Sequence, residues 1–277
     1  MYNNKLDYYL NTWGLSNPQL LTQTVTSQIY TVTHDTETVI LKLLSATETD
    51  EQRGAVSLRC FDGHGAVRLL QYDDGAHLLE YAAGDELVTW VERGEDENAT
   101  RIIAQVIQQI HSAPQDSPHD GLFTLDRWFV ELFNKAATDG QAGIESIYVR
   151  SAPLVRRLLA DQREIRVLHG DIHHRNIRQS PRGWLAFDPK GVIGERTYDC
   201  ANTLCNPAMP ELVHNEKRLL TNAAILADTL KIDFSRVLEF TYAYACLNAS
   251  QCLRIGAEEM VDWSLNVAVI IEPHIKL

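Results

Sequence analysis

The feature that most constrains this chain is a polar loop between two short apolar runs, at residues 167–168 and 184–187. The loop contains Asp171 and, five positions later, Asn176, and Asp188 follows the second run. Carboxylate and amide oxygens are ligands that Mg²⁺ prefers, and a carboxylate can also accept a proton from a hydroxyl. The spacing therefore predicts Asp171 as a base and oxygen ligands that hold Mg²⁺ on phosphate groups.

Phosphoryl transfer needs further groups, and candidates for them lie upstream. The same Asp-to-Asn interval occurs in kinase catalytic loops, where a lysine on an earlier strand reaches the phosphates and a glutamate on the next helix fixes that lysine. Lys42 lies in an apolar strand-like run, and Glu51 lies in the helical segment that follows. Lys42 could instead extend from a sheet face to water, and Glu48 and Asp50 compete with Glu51 as its partner.

A glycine-rich phosphate loop is missing, because residues 22–30 contain no glycine. Hydroxyl and backbone N–H groups around Thr26 and Ser27 are the candidates to cover the phosphates, with ordinary turn chemistry as the alternative. The missing glycines also suggest a second hypothesis, a pseudokinase that binds nucleotide without catalysis.

The order of hydrophobic patterns predicts an α+β chain of two lobes. Four strands and one helix come first, at residues 25–44 (a hairpin of two strands), 48–61 (the helix), 66–72 and 77–81. Later patterns indicate mainly amphipathic helices, among them residues 234–255. We expect a nucleotide-binding lobe with a small antiparallel sheet and one helix at residues 1–83, and a larger, mainly helical catalytic and substrate-binding lobe at residues 84–277.

Charge and composition exclude some kinds of partner. The net charge of −12 disfavours binding to nucleic acid or to an anionic membrane, since both need clustered Lys and Arg. The five cysteines lack zinc-site spacing and indicate reduced thiols. Neither a secretory signal nor an apolar stretch of the roughly 20 residues that span a bilayer is recognisable. We expect a cytoplasmic protein, and the oligomeric state stays open.

Five segments resemble the aminoglycoside phosphotransferase superfamily, most closely its streptomycin 6-phosphotransferase or hydroxyurea kinase branch. They are residues 50–55, 63–70, 78–82, 168–189 and 243–247. The resemblance covers most of the chain. It implies a protein-kinase-like fold and ATP-dependent transfer of the γ-phosphoryl group to a hydroxyl of a small molecule, such as an aminoglycoside, with antibiotic resistance as the biological context.

The resemblance also implies roles for individual residues. They are Asp171 as catalytic base, Asn176 and Asp188 as Mg²⁺ ligands, Lys42 on the nucleotide phosphates with Glu51 in support, and Glu80 and Ala82 in a hinge whose backbone meets adenine. Asp199 would anchor the catalytic loop, although an aspartate at the start of a helix can equally be an N-cap. Arg175 departs from the branch pattern, and we expect it to face solvent.

The identity of the acceptor stays open at this stage. A cationic aminoglycoside would need acidic partners and a ring for stacking. The candidates are Glu195, Glu258, Glu259, Asp262 and Trp263, each of which is more often a solvated surface residue. A kinase that phosphorylates an unrelated metabolite alcohol is an alternative, and so is the use of GTP in place of ATP.

A metal-dependent hydrolase is the rival enzyme class. It would use His169, His173 and His174 together with Asp171 and Asp188 as metal ligands. This alternative explains the histidines but leaves Lys42, Glu51 and the Asp-to-Asn interval without a role.

Overall fold

The small lobe is built on an antiparallel sheet of five strands, in the order β1-β2-β3-β5-β4. The computed structural model describes residues 2–45, 49–114 and 120–277. The strands are β1 (Leu15–Gln23), β2 (Ser27–His34), β3 (Glu37–Leu44), β4 (Leu69–Asp73) and β5 (Ala76–Glu80). Two helices accompany the sheet, α1 (Tyr2–Thr12) before it and α2 (Thr49–Phe61) between β3 and β4. The predicted hairpin, helix and later strands are all present.

Residues 2–23 correct the predicted order of elements. The chain begins with α1 and β1, so the sheet has five strands where the sequence indicated four. β1 is an edge strand, and eight of its nine residues are exposed. A strand that buries almost nothing lacks the apolar alternation by which half-buried strands are recognised.

Strand β3 determines which side chains face the large lobe. It lies between β2 and β5, and successive side chains of a strand point to opposite faces. Leu41 and Leu43 pack with Trp13, which directly follows α1, on one face. Ile40 belongs to the larger core on the other face. Lys42 shares the parity of Ile40 and therefore faces the large lobe.

The large lobe is mainly helical, as predicted. Its helices are α3 (Val88–Glu92), α4 (Asp96–His111), α5 (Leu125–Trp128), α6 (Val130–Gln141), α7 (Ile147–Ala160), α8 (Asp199–Leu204), α9 (Pro210–Val213), α10 (Glu216–Leu230), α11 (Phe234–Ile255) and α12 (Glu258–Ile271). Helix α11 matches the predicted residues 234–255. It begins after Asp233, whose carboxylate accepts a hydrogen bond from the Ser235 N–H, and ends at Gly256 in the left-handed conformation.

Short strands support the polar loop within the large lobe. They are β6 (Phe123–Thr124), β7 (Ile165–Leu168), β8 (Ile177–Ser180), β9 (Gly183–Ala186) and β10 (Val192–Glu195). Residues 169–176 connect β7 to the β8–β9 hairpin, so both ends of the loop are fixed by strands. We call residues 169–176 the catalytic loop. Within the described ranges, no helix combines the length and apolar character that crossing a bilayer would require.

An arginine of the β8–β9 hairpin connects this hairpin to the small lobe. The Arg182 guanidinium binds both carboxylate oxygens of Glu80 at the end of β5. It also donates to the carbonyl oxygens of Gly63 and Ala66. Burial raises the pKa of Glu80, but the hydrogen bonds from Arg182 and from the Arg68 backbone hold it below its usual range. The carboxylate therefore stays charged in this contact.

Candidate active site

A cleft of about 1330 Å³ lies where the sheet of the small lobe meets the helical lobe. Its wall includes Lys42 from β3, Glu51 from α2, Asp171 from the catalytic loop and Asp188 after β9. Side chains of α11, among them Tyr244, complete the opposite side. The cleft therefore collects residues that are far apart in the sequence.

Lys42 forms two ion pairs at the back of the cleft. Its ammonium group donates to a carboxylate oxygen of Glu51 and, at 2.6 Å, to Oδ1 of Asp188. Lys42 is only 7% exposed, so it does not extend to water. Burial lowers the pKa of Lys42, but the two carboxylates raise it above its ordinary value. Lys42 is therefore a fixed cation between the lobes.

The choice of partner for Lys42 was open in the sequence. Glu51 is the partner among the described side chains, and its second oxygen accepts a hydrogen bond of 3.0 Å from the Thr26 hydroxyl. Glu48 lies outside the described residues, and so does the side chain of Asp50.

Asp188 is held in an unusual backbone conformation. Its φ of +64° lies in the left-handed region, which few residues other than glycine adopt. Burial raises the pKa of Asp188, but Lys42 and Lys190 hold it far below its ordinary value. The carboxylate is therefore ionised and points into the cleft.

Two glycines allow helix α2 to approach the segment after Asp188. A Cβ atom on Gly54 would lie 2.4 Å from the carbonyl oxygen of Pro189, and one on Gly191 would lie 2.2 Å from Cβ of Arg53. Both distances are shorter than any real contact between such atoms. The close approach sets the distance between Glu51, on the same helix, and Asp188.

Asp171 is positioned by amide groups on two sides. Its Oδ1 accepts a hydrogen bond of 2.7 Å from Nδ2 of Asn202. The amide nitrogen of Asn176 donates to the backbone carbonyl of Asp171 at 2.9 Å. Because this nitrogen is used within the loop, the amide oxygen of Asn176 is directed away from that carbonyl. Asp171 and Asn176 thus form a single unit across the catalytic loop.

Asp199, at the start of α8, holds the beginning of the catalytic loop. Its two oxygens accept hydrogen bonds from the N–H groups of His169 and Gly170, at 3.0 and 2.8 Å. Nε2 of His111 lies 2.8 Å from Oδ2 of Asp199. Burial raises the pKa of Asp199, but these donors hold it below its usual range. The anchoring contact that the resemblance implied is therefore present.

The remaining predicted nucleotide contacts all border the cleft. Ser27 is nearly buried, and its hydroxyl lies 3.1 Å from that of Thr24 within the turn between β1 and β2. Ordinary turn bonds thus occupy the Ser27 hydroxyl. Glu80 and Ala82 both line the cleft, and the carboxylate of Glu80 is engaged by Arg182. A contact of this segment with a base would therefore use its backbone groups.

The three histidines of the catalytic loop do not point to a common centre. Nε2 of His169 lies 3.0 Å from the carbonyl oxygen of Phe187, and the buried His174 faces Asp96 at 3.9 Å. Nε2 of His173 lies 4.0 Å from Oδ1 of Asp171. Across the described ranges, no three His, Cys, Asp or Glu side chains are grouped as a metal site. Arg175 is largely exposed, 3.8 Å from Glu86, as expected.

The acidic residues suggested for a cationic acceptor lie elsewhere. Glu195 is 1% exposed and pairs with the guanidinium of Arg236. Trp263 donates to the carbonyl oxygen of Cys205. The described wall of the cleft contains neither of these two residues nor Glu258, Glu259 and Asp262. The part of the cleft wall formed by α5, α6 and α11 instead contains Trp128, Glu131, Tyr244, Asn248, Gln251 and Arg254, which the sequence analysis did not identify.

Lys190 is a further residue that the sequence analysis missed. Its ammonium group lies 3.1 Å from Oδ2 of Asp188 and 3.4 Å from Oδ2 of Asp171. Burial lowers the pKa of Lys190, but these carboxylates raise it above its ordinary value. The sequence signal that could have identified Lys190 is its position two residues after Asp188, between a proline and a glycine.

Comparison with known proteins identifies the family. Residues 12–256 match the model of a family described as aminoglycoside/hydroxyurea antibiotic resistance kinase. The chain belongs to this family. It is therefore an ATP-dependent phosphotransferase that acts on a small molecule, and the sequence-based prediction of the superfamily is confirmed.

Individual relatives agree with the family assignment. The chain is 33% identical to the streptomycin 3''-kinase of Klebsiella pneumoniae, over 94% of this chain and 97% of the relative. It is 28% identical to the streptomycin 6-kinase of Streptomyces griseus, over 77% of this chain and 70% of the relative.

A solved structure shows the same fold. It is a thermostable mutant of the aminoglycoside phosphotransferase APH(4)-Ia in a ternary complex with ADP and hygromycin B. The TM-score is 0.64 at 11% identity, with 96% of this chain and 97% of the other covered. The predicted two-lobed, protein-kinase-like fold is confirmed.

The close approach of α2 makes a prediction for Gly54→Ala. Alanine normally stabilises a helix interior by about 1 kcal/mol relative to glycine. Here its Cβ would collide with the Pro189 carbonyl, so we expect a lower melting temperature and a kcat/KM reduced by about tenfold or more. Gly140→Ala is the matched control, because a Cβ there meets nothing within 4 Å. A Gly54→Ala enzyme that is stabilised like the control and fully active would contradict the constraint.

Proposed function

We propose that this enzyme transfers the γ-phosphoryl group of ATP to a hydroxyl group of streptomycin. One observation supports this function most strongly. The ammonium group of Lys190 contacts the carboxylates of both Asp171 and Asp188. The Lys42–Glu51 pair lies beside them. A base and a phosphate-binding carboxylate are then adjacent, as phosphoryl transfer requires. The streptomycin kinases among the relatives support the acceptor.

The reaction assigns a task to each group. The hydroxyl oxygen of the acceptor bonds to the γ-phosphorus as the bond from phosphorus to the β,γ-bridging oxygen breaks. The hydroxyl proton passes to the carboxylate of Asp171, and the leaving ADP takes the electron pair of the broken bond. Lys42, fixed by Glu51, binds the α- and β-phosphates. Backbone groups of the segment from Glu80 to Ala82 face the adenine ring of ATP.

Asp188 and Asn176 have the donor chemistry that Mg²⁺ requires. One offers an ionised carboxylate, and the other an amide oxygen whose nitrogen is already bonded within the loop. Mg²⁺ commonly uses one or two protein oxygens together with phosphates and water. When bound, the ion would neutralise the phosphate charge. This fit supports the two residues as the metal ligands, in line with their assignment from the sequence.

The acceptor side of the cleft suits a cationic molecule at one point in particular. Glu131 lies beside Arg254, with a carboxylate oxygen 3.5 Å from Nε, and both line the cleft. Both side chains are partly exposed, so the pair is weak and easily exchanged. The guanidinium groups of streptomycin can replace Arg254 as the partner of Glu131. The rings of Trp128 and Tyr244 border the same space.

Other acceptors remain candidates within the same chemistry. The family description includes hydroxyurea, a much smaller acceptor. The modified hydroxyl of streptomycin also differs between the named relatives, and the greater identity and coverage of the 3''-kinase favour the 3'' position.

We propose ATP as the donor in preference to GTP, and the ATP-rich cytoplasm as the place of action. The family match and the separate partners of His169, His173 and His174 argue against the hydrolase alternative.

Asp171→Asn tests the base. The amide keeps the size of the side chain and an oxygen for Asn202, but it cannot accept the proton. We expect kcat with streptomycin and ATP to fall by about 10²–10⁴-fold, with ADP binding and the melting temperature nearly unchanged. Product formation should be followed by mass spectrometry, with the modified hydroxyl located by NMR.

Two outcomes would contradict this account in different ways. Full turnover by the Asp171→Asn enzyme would exclude Asp171 as the base. Failure of the wild-type enzyme to phosphorylate streptomycin, with transfer to hydroxyurea or another alcohol, would exclude the acceptor and leave the chemistry intact.

Glu131→Gln tests the cationic contact. We expect KM for streptomycin to rise about tenfold, the equivalent of about 1.4 kcal/mol, while KM for ATP stays the same because the nucleotide lies on the other side of Asp171. Glu259→Gln is the matched control, an exposed acidic residue outside the cleft wall. The contact would be excluded if both substitutions had the same small effect.

A further inference from the structure

Lys190 occupies the space between the two carboxylates on which the reaction depends. Its ammonium group contacts Asp171 at 3.4 Å and Asp188 at 3.1 Å. Neither the family match nor the names of the relatives assign it a role. We propose that Lys190 is a catalytic residue that contacts the transferred phosphoryl group on its way from ATP to the acceptor. This inference rests on the proposed phosphoryl transfer but not on the identity of the acceptor.

Lys190 lies between the place where the acceptor reacts and the place where the nucleotide phosphates bind. The acceptor hydroxyl must reach Asp171, and the nucleotide phosphates must lie near Asp188 and Lys42. The phosphoryl group that moves between them therefore passes Lys190, the cation that contacts both carboxylates in the described part of the chain. An ammonium group has three N–H donors. That of Lys190 donates one hydrogen bond to Asp188 and faces Asp171 as an ion pair at 3.4 Å. An N–H that is not engaged by Asp188 can donate to an oxygen of the phosphoryl group.

The backbone fixes Lys190 in this place. Its N–H donates to the carbonyl oxygen of His169 at 2.8 Å, which ties it to the catalytic loop. The next residue, Gly191, packs against Arg53 of α2 so closely that a side chain would not fit. The side chain of Lys190 is nevertheless 34% exposed and lines the cleft. The backbone of Lys190 is thus fixed, while its ammonium group is accessible from the cleft.

The two lysines of the site have different surroundings and should have different effects. Lys42 is buried between Glu51 and Asp188, on the nucleotide side. Lys190 reaches Asp171, where the acceptor reacts. A cation that stabilises charge chiefly in the transition state increases kcat, whereas one that binds the substrate equally in the ground state lowers KM. We therefore expect Lys190 to affect mainly kcat.

The test compares Lys190→Met and Lys190→Arg with Lys217→Met, an exposed lysine of α10. For Lys190→Met we expect kcat to fall by about 10²–10³-fold, with KM for ATP and for the acceptor changed by less than about threefold. Lys190→Arg restores a cation and should recover part of the loss. The control should be unaffected.

A binding measurement separates a phosphoryl contact from a merely structural role without any acceptor. Calorimetry with Mg²⁺ should give the affinities for ADP and for the ATP analogue AMP-PNP. Since only AMP-PNP contains the third phosphoryl group, Lys190→Met should weaken AMP-PNP by about two- to threefold, within the small change expected in KM for ATP, and should leave ADP unchanged. Lys190→Arg should reduce that difference.

The outcomes are distinct. Equal weakening of both nucleotides, or an unchanged kcat, would overturn the role of Lys190. If Lys190→Met does not fold, Lys190→Gln takes its place, with the same expected loss of kcat and the same preferential weakening of AMP-PNP. A folded Lys190→Gln enzyme with wild-type kcat would overturn the inference. Absence of streptomycin phosphorylation by the wild-type enzyme would remove the proposed acceptor alone.

Discussion

The arrangement of the active site depends on one interaction, the pairing of Lys42 with Glu51 and Asp188. These three residues come from a strand, a helix and a loop of two lobes, and their charges are largely withdrawn from water. Removing one partner from a buried ion pair costs about 3–5 kcal/mol, because an unpaired charge is left behind. The two ion pairs therefore stabilise the observed position of one lobe relative to the other.

The pairing extends through Lys190 into a chain of alternating charges. Asp188 lies between Lys42 and Lys190, and Asp171 follows on the other side of Lys190. Each charge has opposite neighbours, which lets several ionised groups share one small space. The phosphates of ATP would add negative charge beside these lysines. The lysines therefore have anionic partners both before and after the nucleotide binds.

Much of this site could be predicted because its signals are local. The interval from Asp171 to Asn176 lies within one loop, and Lys42 stands out as a charge in an apolar strand. The period of that strand places Lys42 on the same face as Ile40. The anchoring by Asp199 was expected from the resemblance. The roles of these residues stay predictions until they are measured.

What could not be predicted depends on contacts between distant segments. Lys190 has a role only because its backbone bonds to His169 and its tip reaches Asp171. Glu131 faces the cleft because α6 packs beside α11, whereas Glu195, an equally plausible acid in the sequence, is buried against Arg236. Strand β1 was missed since an exposed edge strand has no apolar pattern. Such features follow from the tertiary structure alone.

The central claim is that Lys42 and Asp188 act as one unit across the cleft, and a double-mutant cycle on kcat/KM tests it most directly. Lys42→Met and Asp188→Asn should each lower kcat/KM strongly, and the double variant should lose little beyond the worse single one, with a coupling of about 2 kcal/mol or more. Losses that add to within about 0.5 kcal/mol would show that the two residues act independently, and would contradict the account.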